Sequence, residues 1–326
     1  MSDAGLQFVV GKGGVGKSTL TAALGLEAAS HGQRTLVAEI GRHGGLSRLF
    51  DAEDIVPGAP RVVAPHLTLL TLEGDEALAE YLRLVIPIKR LLSLVFASRF
   101  YSIFVAGAPG LKELMTVGKI WFEAERRMAD GQPVWERMFV DAGASGHSLQ
   151  YLQMPSAAAT AFRSGLVHRE ATRVQQLLAD PKRTCVHVVA TPEEMPVTEA
   201  CSIIERLRGD LHFPLGDLFV NRCRPPVPRG AAEAIEVLGR LPAEGEAERL
   251  RAAMTEAATD ALEWDAVQQA AISRLEECTG LRAERVPLLV REEFGIDDAR
   301  ELVSMLAARR KPGFRPKLAR SQRGNP

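Results

Sequence analysis

The sequence predicts an α/β fold in which a mainly parallel sheet is doubly wound by helices, and two observations carry this prediction. Short apolar runs alternate along the chain with longer helical patterns, which is typical of βαβ units. The runs are apolar at consecutive positions rather than at every second one, as expected of parallel strands buried on both faces. Ligands of such sheets bind at the carboxyl ends of the strands, so we expect the chemistry there.

The predicted strands follow one another from the start of the chain to about residue 290. A content of 46% hydrophobic residues is enough for one substantial core, and we assign residues 1–308 to a single domain. Each run is followed by turn-forming residues and then by a helical pattern. The strands are Leu6–Val10, Arg34–Ile40, Leu67–Leu72, Arg137–Asp141, Thr184–Ala190, Asp217–Asn221 and Arg285–Val290.

Two regions are longer than a crossover helix requires, and they predict an inserted helical subdomain. They cover about residues 75–130 and 154–180, and together they would form a layer on one end of the sheet. The first contains the most apolar stretch of the chain, Leu82–Val105. Four basic residues interrupt this stretch and would be costly at bilayer depth, so it is not expected to span a membrane.

The bulk charge excludes some partners and leaves one local candidate. The formal net charge of −1 gives no global field that would favour nucleic acid or a membrane. Residues 309–326 are basic, contain prolines and have little to bury, so we predict a disordered tail. This tail could contact phosphates of lipid or nucleic acid, or it could serve only as a solvated, solubilising segment.

The cysteines point to a reducing compartment. Cys185, Cys201, Cys223 and Cys278 show no CxxC or CxC spacing, so the sequence predicts neither a zinc clip nor a disulfide framework. We expect all four to be small buried apolar residues. The first residues carry no targeting pattern, and we predict a cytoplasmic protein.

One segment predicts phosphate binding. Gly11–Thr19, with the sequence GKGGVGKST, follows a predicted strand and precedes a predicted helix, which is the context that a Walker A loop (P-loop) requires. Its glycines let backbone N–H groups turn toward phosphate oxygens, and the following helix adds its positive dipole end. Lys17 is expected to reach the β and γ phosphates and Ser18 to ligate Mg²⁺ directly. The predicted nucleotide contacts here are Gly11, Gly13, Gly14, Val15, Gly16, Lys17, Ser18 and Thr19.

Lys12, directly after the first glycine of the loop, and four further segments carry a family resemblance. The segments are FVDAGASGH (Phe139–His147), APGLKEL (Ala108–Leu114), ATPEEMPVTEA (Ala190–Ala200) and FVNRCRP (Phe219–Pro225). With them the chain resembles the arsenical-pump and tail-anchored-protein-targeting ATPases, which carry a deviant Walker A loop and are relatives of the MinD, ParA and nitrogenase iron-protein groups. The resemblance therefore implies a P-loop NTPase that uses ATP or ADP and Mg²⁺.

The resemblance also implies roles for individual residues. Lys12 resembles an arginine finger that crosses a dimer interface to the partner's phosphates, which implies a homodimer or a heterodimer with a related ATPase. Asp141, in the segment that resembles switch II, would hold a magnesium-bound water, and Asn221 would recognise adenine; either could instead cap a turn. Pro192 and Glu193 would contact the nucleotide or only start a helix.

Two features of the late chain complete the comparison with the family. The segment Val286–Asp298, VPLLVREEFGIDD, would supply a loop that covers the base. The cysteine sets that bind arsenite or a shared zinc in this family have no counterpart in the spacing here, so we predict neither site.

The chain departs at switch I from the family that it resembles. The family has an Asp just after the second strand that polarises the attacking water, and Gly41 stands at that place here. Glu39 is the nearest carboxylate and would face the same side of the strand, so we add it to the predicted catalytic set of Lys12, Lys17 and Asp141. Losing the usual carboxylate would slow hydrolysis by roughly 10²- to 10⁴-fold while leaving phosphate binding largely intact.

These features favour an ATP-dependent dimeric switch with slow turnover. Hydrolysis would open and close a helical surface that binds an apolar helical protein client, with Leu82–Val105 as the candidate surface. The alternative for that stretch is packing on the sheet or on the partner subunit. Two other functions stay open, a non-hydrolysing regulatory subunit of a heterodimeric ATPase and a positioning ATPase like MinD or ParA.

Overall fold

The architecture comes from a computed structural model, which describes residues 4–41, 44–85, 110–143 and 145–309. Strands and helices alternate along the chain, as the apolar pattern predicts. The strands are β1 (Leu6–Gly11), β2 (Thr35–Ile40), β3 (Arg61–Ala64), β4 (Leu67–Leu72), β5 (Arg137–Asp141), β6 (Thr184–Ala190), β7 (Leu215–Cys223) and β8 (Ala283–Pro287). The helices are α1 (Lys17–Ser30), α2 (Gly45–Leu49), α3 (Gly74–Val85), α4 (Leu111–Glu125), α5 (Ser145–Ala161), α6 (Gly165–Ala179), α7 (Glu194–Arg208), α8 (Ala231–Arg240), α9 (Glu246–Thr279) and α10 (Ile296–Arg309).

The strands form an eight-stranded sheet in the order β3-β4-β2-β5-β1-β6-β7-β8. All neighbours pair in parallel except β3 and β4, which confirms the predicted α/β class. The edge strand β3 was not predicted, because its four residues RVVA are largely exposed and carry no continuous apolar run. β8 begins two residues earlier than predicted and ends at Pro287, which has no N–H for a further ladder bond.

Helices cover both faces of the sheet, and strand alternation divides the core between them. Phe8 and Val10 of β1 contribute to a core with α4, α5, α6, α7 and α9. Val9, between them, points the other way into a core with α1, α2 and α10. Every residue of β1, β2, β4 and β6 is buried, which explains why apolar residues predominate at consecutive positions in these strands.

The two long regions do form helices where the structure describes them. α3 packs against α4, and α5 packs against both α4 and α6. The stretch Leu82–Val105 lies mostly in residues 86–109, outside the described residues, so its predicted client-binding role stays a prediction, as does the tail at 309–326. None of the described helices is both long enough and apolar enough to cross a bilayer.

The prediction for the cysteines is wrong for two of the four. Cys201 on α7 and Cys278 on α9 are joined by a disulfide, with their Cα atoms 6.1 Å apart. The pair is 77 residues apart in sequence, so no local spacing could reveal it; the side-by-side packing of α7 and α9 creates it. Cys185 and Cys223 are unpaired and buried, as expected.

A buried carboxylate on α4 gives a first testable prediction, at the end of the sheet where β5 begins. Glu123 Oε2 accepts hydrogen bonds from Arg126 Nη1 at 2.7 Å and Trp135 Nε1 at 3.0 Å, and Lys119 Nζ lies 3.1 Å from Oε1. Burial raises the pKa of Glu123, but these donors outweigh it and hold the pKa below its usual value. The charged form is therefore the one that the folded state stabilises.

Glu123→Gln is expected to lower the free energy of unfolding at pH 7 by roughly 1–3 kcal/mol, since charged hydrogen bonds are lost in a buried place. Because the folded pKa is depressed, the stabilisation is complete above the unfolded pKa of about 4.3 and disappears as the pH falls through the lower folded pKa. Urea titrations of the wild type and the variant at pH 7 and near pH 3.5 would measure the difference between their free energies of unfolding, which should be smaller at the lower pH. A gap of equal size at both values would contradict the ionic explanation.

Candidate nucleotide site

The predicted P-loop lies at the carboxyl end of β1. β1 ends at Gly11 and α1 begins at Lys17, so the loop joins a buried strand to a helix N-terminus as the motif requires. Gly16 is the N-cap of α1 and has φ of 92°, a left-handed conformation that favours glycine. A Cβ at Gly16 would also lie 2.2 Å from Asn221 Nδ2, so no side chain fits there. Both the backbone conformation and the lack of space therefore require glycine at this motif position.

Lys17 is held inside the loop. Its Nζ donates a hydrogen bond of 2.9 Å to the carbonyl oxygen of Lys12, and the residue is only 7% exposed. Burial lowers the pKa of Lys17, while the nearby carboxylates of Asp141 and Glu199 act in the opposite direction. Glu199, on α7, was not predicted, because it lies in an ordinary helical pattern with no motif of its own.

Ser18 and Asp141 are in contact although they are 123 residues apart in the sequence. The Ser18 hydroxyl donates a hydrogen bond to Asp141 Oδ2, and Asp141 Oδ1 accepts one of 3.3 Å from the Gly143 N–H. Asp141 pairs in register with Val9 on β1 and with Glu39 on β2, so it lies between the P-loop strand and the switch I strand. A hydroxyl and a carboxylate side by side are the hard oxygen donors that Mg²⁺ prefers, and the residues therefore fit this ion.

Asn221 packs under the P-loop. Its Nδ2 donates to the Val15 carbonyl oxygen at 2.8 Å, and its Oδ1 accepts from the Arg222 N–H at 2.8 Å. Arg222 has φ of 60° beside a register irregularity of β7, and this bulge directs Asn221 inward. The geometry thus gives Asn221 a supporting contact to the loop, and its recognition of adenine stays a prediction.

At the carboxyl end of β2, where switch I begins, Glu39 is buried and Gly41 is partly exposed. Gly41 has φ of 89°, and its N–H donates to the Leu72 carbonyl oxygen at 2.9 Å. Glu39 is 2% exposed. Burial raises its pKa, the Asp141 carboxylate adds to that rise, and backbone N–H groups of Leu46 and Gly45 oppose it. The structure therefore brings Glu39 and Asp141 close together, and the catalytic role of Glu39 stays a prediction.

The nucleotide-binding roles of Pro192, Glu193, Gly13 and Thr19 stay predictions. Glu193 is the exposed N-cap of α7 and Pro192 is half-buried before it, so their position fits a helix start as well as a nucleotide contact. Gly13 is exposed and Thr19 is half-buried in the first turn of α1. Within the part of the chain that the structure describes, the Lys12 ammonium has no ion-pair partner.

A cavity of about 720 Å³ lies beyond the carboxyl ends of β7 and β8. It is mostly apolar, and the Arg224 guanidinium at its wall stacks 4.5 Å from the centroid of the Trp264 ring. Two of its walls come from segments that the sequence had singled out, the one that follows Asn221 and the late segment after β8; the helical walls from α8 and α9 were not predicted. The lining residues are Arg224, Pro225, Pro226, Val227, Pro228, Ala231, Ala234, Ile235, Leu238, Ala258, Ala261, Asp265, Leu288 and Val290.

Comparison with known proteins points to a family of ATPases. The family model described as anion-transporting ATPase matches residues 6–170, just over half of the chain, and this range contains Gly11–Thr19, Glu39 and Asp141. The ATPase BagA of Mycobacterium tuberculosis is 29% identical over 249 residues, which cover 72% of this chain and 71% of that protein.

A second relative covers more of the chain. The arsenical pump-driving ATPase of Acidiphilium multivorum is 26% identical over 308 residues, which cover 87% of this chain and 50% of that longer protein. Among the described residues no group of three or more His, Cys, Asp or Glu side chains is placed to hold a metal ion. The P-loop at the end of β1, its contact with Asp141 and the family match lead to one conclusion: the chain belongs to the anion-transporting ATPase family and is an ATPase.

Proposed function

We propose that this ATPase works as a dimeric molecular switch, in which slow hydrolysis of magnesium-bound ATP opens and closes a helical protein-binding surface. The observation that carries the proposal is the hydrogen bond between Ser18 of the P-loop and Asp141 of switch II. It links the phosphate-binding loop directly to the segment that would respond to the γ phosphate. A change at the nucleotide can therefore reach the helices that follow β5.

Different groups of the chain bind the phosphates, neutralise their charge and hold Mg²⁺. Backbone N–H groups of Gly11–Thr19 and the N-terminus of α1 bind the phosphates, and Lys17 neutralises charge on the β and γ groups. Ser18 would hold Mg²⁺ directly and Asp141 would hold it through a water. When bound, the ion polarises the γ phosphate and stabilises the charge that develops during its transfer.

Lys12 supports the dimeric part of the proposal. Its position after the first glycine matches the lysine that acts across the interface in the deviant Walker class, and its ammonium has no ion-pair partner in the described residues. Supplied by a second subunit, it would complete the charge stabilisation at the phosphates. The partner would be a second copy or a related ATPase.

The second candidate function is a nucleotide-binding subunit that does not itself hydrolyse ATP. Gly41 favours it, because the corner that normally carries the water-polarising Asp has no side chain. Single-turnover hydrolysis separates the two. The switch predicts slow conversion of bound ATP together with dimers that form in ATP and separate in ADP, measured by analytical ultracentrifugation. Tight ATP binding without hydrolysis would favour the subunit that does not itself hydrolyse ATP.

The cavity beyond β7 and β8 is proposed to hold the adenine base. Its lining begins at Arg224, a few residues after Asn221 in the sequence. The cavity is mostly apolar, and its volume is within the range of small-molecule sites. Leu288, on the predicted base-covering loop, forms part of the wall, and its N–H donates to the Cys223 carbonyl oxygen at 2.8 Å. The flat base would pack between the segments after β7 and β8.

Leu288→Trp is expected to weaken ATP binding by about 10-fold or more, because the indole fills space that the base requires. Inorganic tripolyphosphate should bind equally to the variant and the wild type, since the P-loop is untouched. Isothermal titration calorimetry with both ligands measures this. Val62→Trp, at a 74% exposed position on the opposite sheet edge, is the matched control. Equal ATP affinity in both variants would place the base elsewhere.

A further inference from the structure

Glu39 caps a helix that follows its own strand. Glu39 Oε1 accepts hydrogen bonds from the backbone N–H groups of Gly45 at 2.7 Å and Leu46 at 3.2 Å, and Oε2 accepts one from the Ser47 hydroxyl at 3.4 Å. The first N–H groups of a helix have no partner within the helix and need an acceptor. The N-cap of α2 is Gly44, which has no side chain to provide one. The carboxylate of Glu39 supplies the cap from β2.

The capped helix lies directly on Ser18. A Cβ built on Gly45 would lie 2.7 Å from Ser18 Oγ and 3.3 Å from Glu39 Oε1. The first residue of α2 therefore separates the cap from the hydroxyl that would hold Mg²⁺, and only glycine fits between them. Any tilt of this helix end changes what covers Ser18.

Apolar side chains at α2 anchor the helix independently of its hydrogen bonds to Glu39. Leu46, Leu49 and Phe50 are buried in the core that α2 shares with α1 and α10. The single-turn helix thus has a fixed apolar side and an N-terminus whose orientation depends on hydrogen bonds. That N-terminus leads back to Gly41, where switch I begins.

We propose that Glu39 is a positioning residue for ATP hydrolysis, which acts as a hydrogen-bond acceptor that seats α2 over Ser18. In this proposal Glu39 acts through the orientation of α2 rather than as a charged group on the attacking water, because the donors that the structure gives to its carboxylate all belong to α2. This replaces the role of a water-orienting carboxylate that the sequence alone indicated for it. The inference rests on the proposed function insofar as Mg²⁺-ATP binds at Ser18.

Two substitutions separate an acceptor from a charge. Glu39→Gln keeps an amide oxygen that can accept the Gly45 and Leu46 N–H groups, so kcat should remain within about threefold of the wild type. Glu39→Ala removes the cap, and kcat should fall by roughly 10- to 100-fold with little change in KM, because binding by the P-loop persists while the geometry is lost. Glu123→Gln is the control for loss of a buried carboxylate far from the site.

Hydrogen exchange at residues 44–50 tests the cap independently of turnover. The Gly45 and Leu46 amides should exchange faster in Glu39→Ala, and at the wild-type rate in Glu39→Gln. A wild-type protein that binds ATP without converting it would refute the hydrolytic part of the proposed function, yet this measurement would still test the cap. Unchanged exchange in Glu39→Ala would overturn the positioning role.

Two kinetic outcomes would also overturn it. One is a loss of kcat in Glu39→Gln as large as that in Glu39→Ala, which would mean that the negative charge itself is needed. The other concerns Gly45→Ala, which keeps the cap but places a methyl group against Ser18. This variant replaces Glu39→Ala in the test if Glu39→Ala does not fold. We expect Gly45→Ala to lower kcat at least about 10-fold; full activity would show that α2 need not sit on Ser18.

Discussion

Lys12→Ala is expected to lower the single-turnover rate of ATP hydrolysis by about 10³-fold or more, the magnitude seen when a cation supplied across an interface is removed. Nucleotide affinity should change only a few-fold, because Lys12 would contact the partner's phosphates late in the reaction while the P-loop of each subunit holds its own. Quenched-flow hydrolysis and calorimetric binding measure the two quantities separately.

Mixing two defective variants tests whether Lys12 acts on a partner. Lys12→Ala and Asp141→Asn should each be inactive alone, but a mixed dimer would contain one complete site, with Asp141 from one chain and Lys12 from the other. An equimolar mixture should regain about one quarter of the wild-type rate, since half of the dimers are mixed and each has one working site of two. Mixed dimers that form but stay inactive would refute action in trans.

Lys17→Ala is expected to weaken ATP binding by at least about 10-fold and to slow hydrolysis of bound ATP by roughly 10²- to 10³-fold. Lys17 is buried inside the loop with its ammonium 2.9 Å from the Lys12 carbonyl oxygen, so the substitution removes a positive charge from the place where the β and γ phosphates would bind. Fluorescence titration with a labelled ATP analogue and single-turnover assays measure both losses.

Lys119→Ala provides the control for loss of a largely buried ammonium. Lys119 lies between Glu80 and Glu123 on α3 and α4, so its removal should cost stability and leave nucleotide binding unchanged. If Lys17→Ala bound ATP as tightly as Lys119→Ala, Gly11–Thr19 would not be the phosphate site, and the proposed function would fail with it.

Much of the sheet could be predicted because burial on both faces leaves a direct signature in sequence. A parallel strand such as Thr184–Ala190 is mainly apolar at consecutive positions, and the P-loop adds glycines that a close backbone approach requires. The exposed edge strand Arg61–Ala64 lacks that signature, because its side chains face solvent and its partner is a single neighbour. It was missed for that reason.

At the site, the sequence by itself predicted which residues would bind phosphate, because the spacing of the glycines, Lys17 and Ser18 is a local pattern along the chain. Tertiary structure alone decided what those residues meet: Asp141 at Ser18, Asn221 under Val15, Glu199 near Lys17 and the cap that Glu39 gives to α2. It also decided that Cys201 and Cys278 are bonded. These contacts join elements far apart in sequence, and their energies depend on burial and direction, which become defined only when the sheet aligns the ends of its strands.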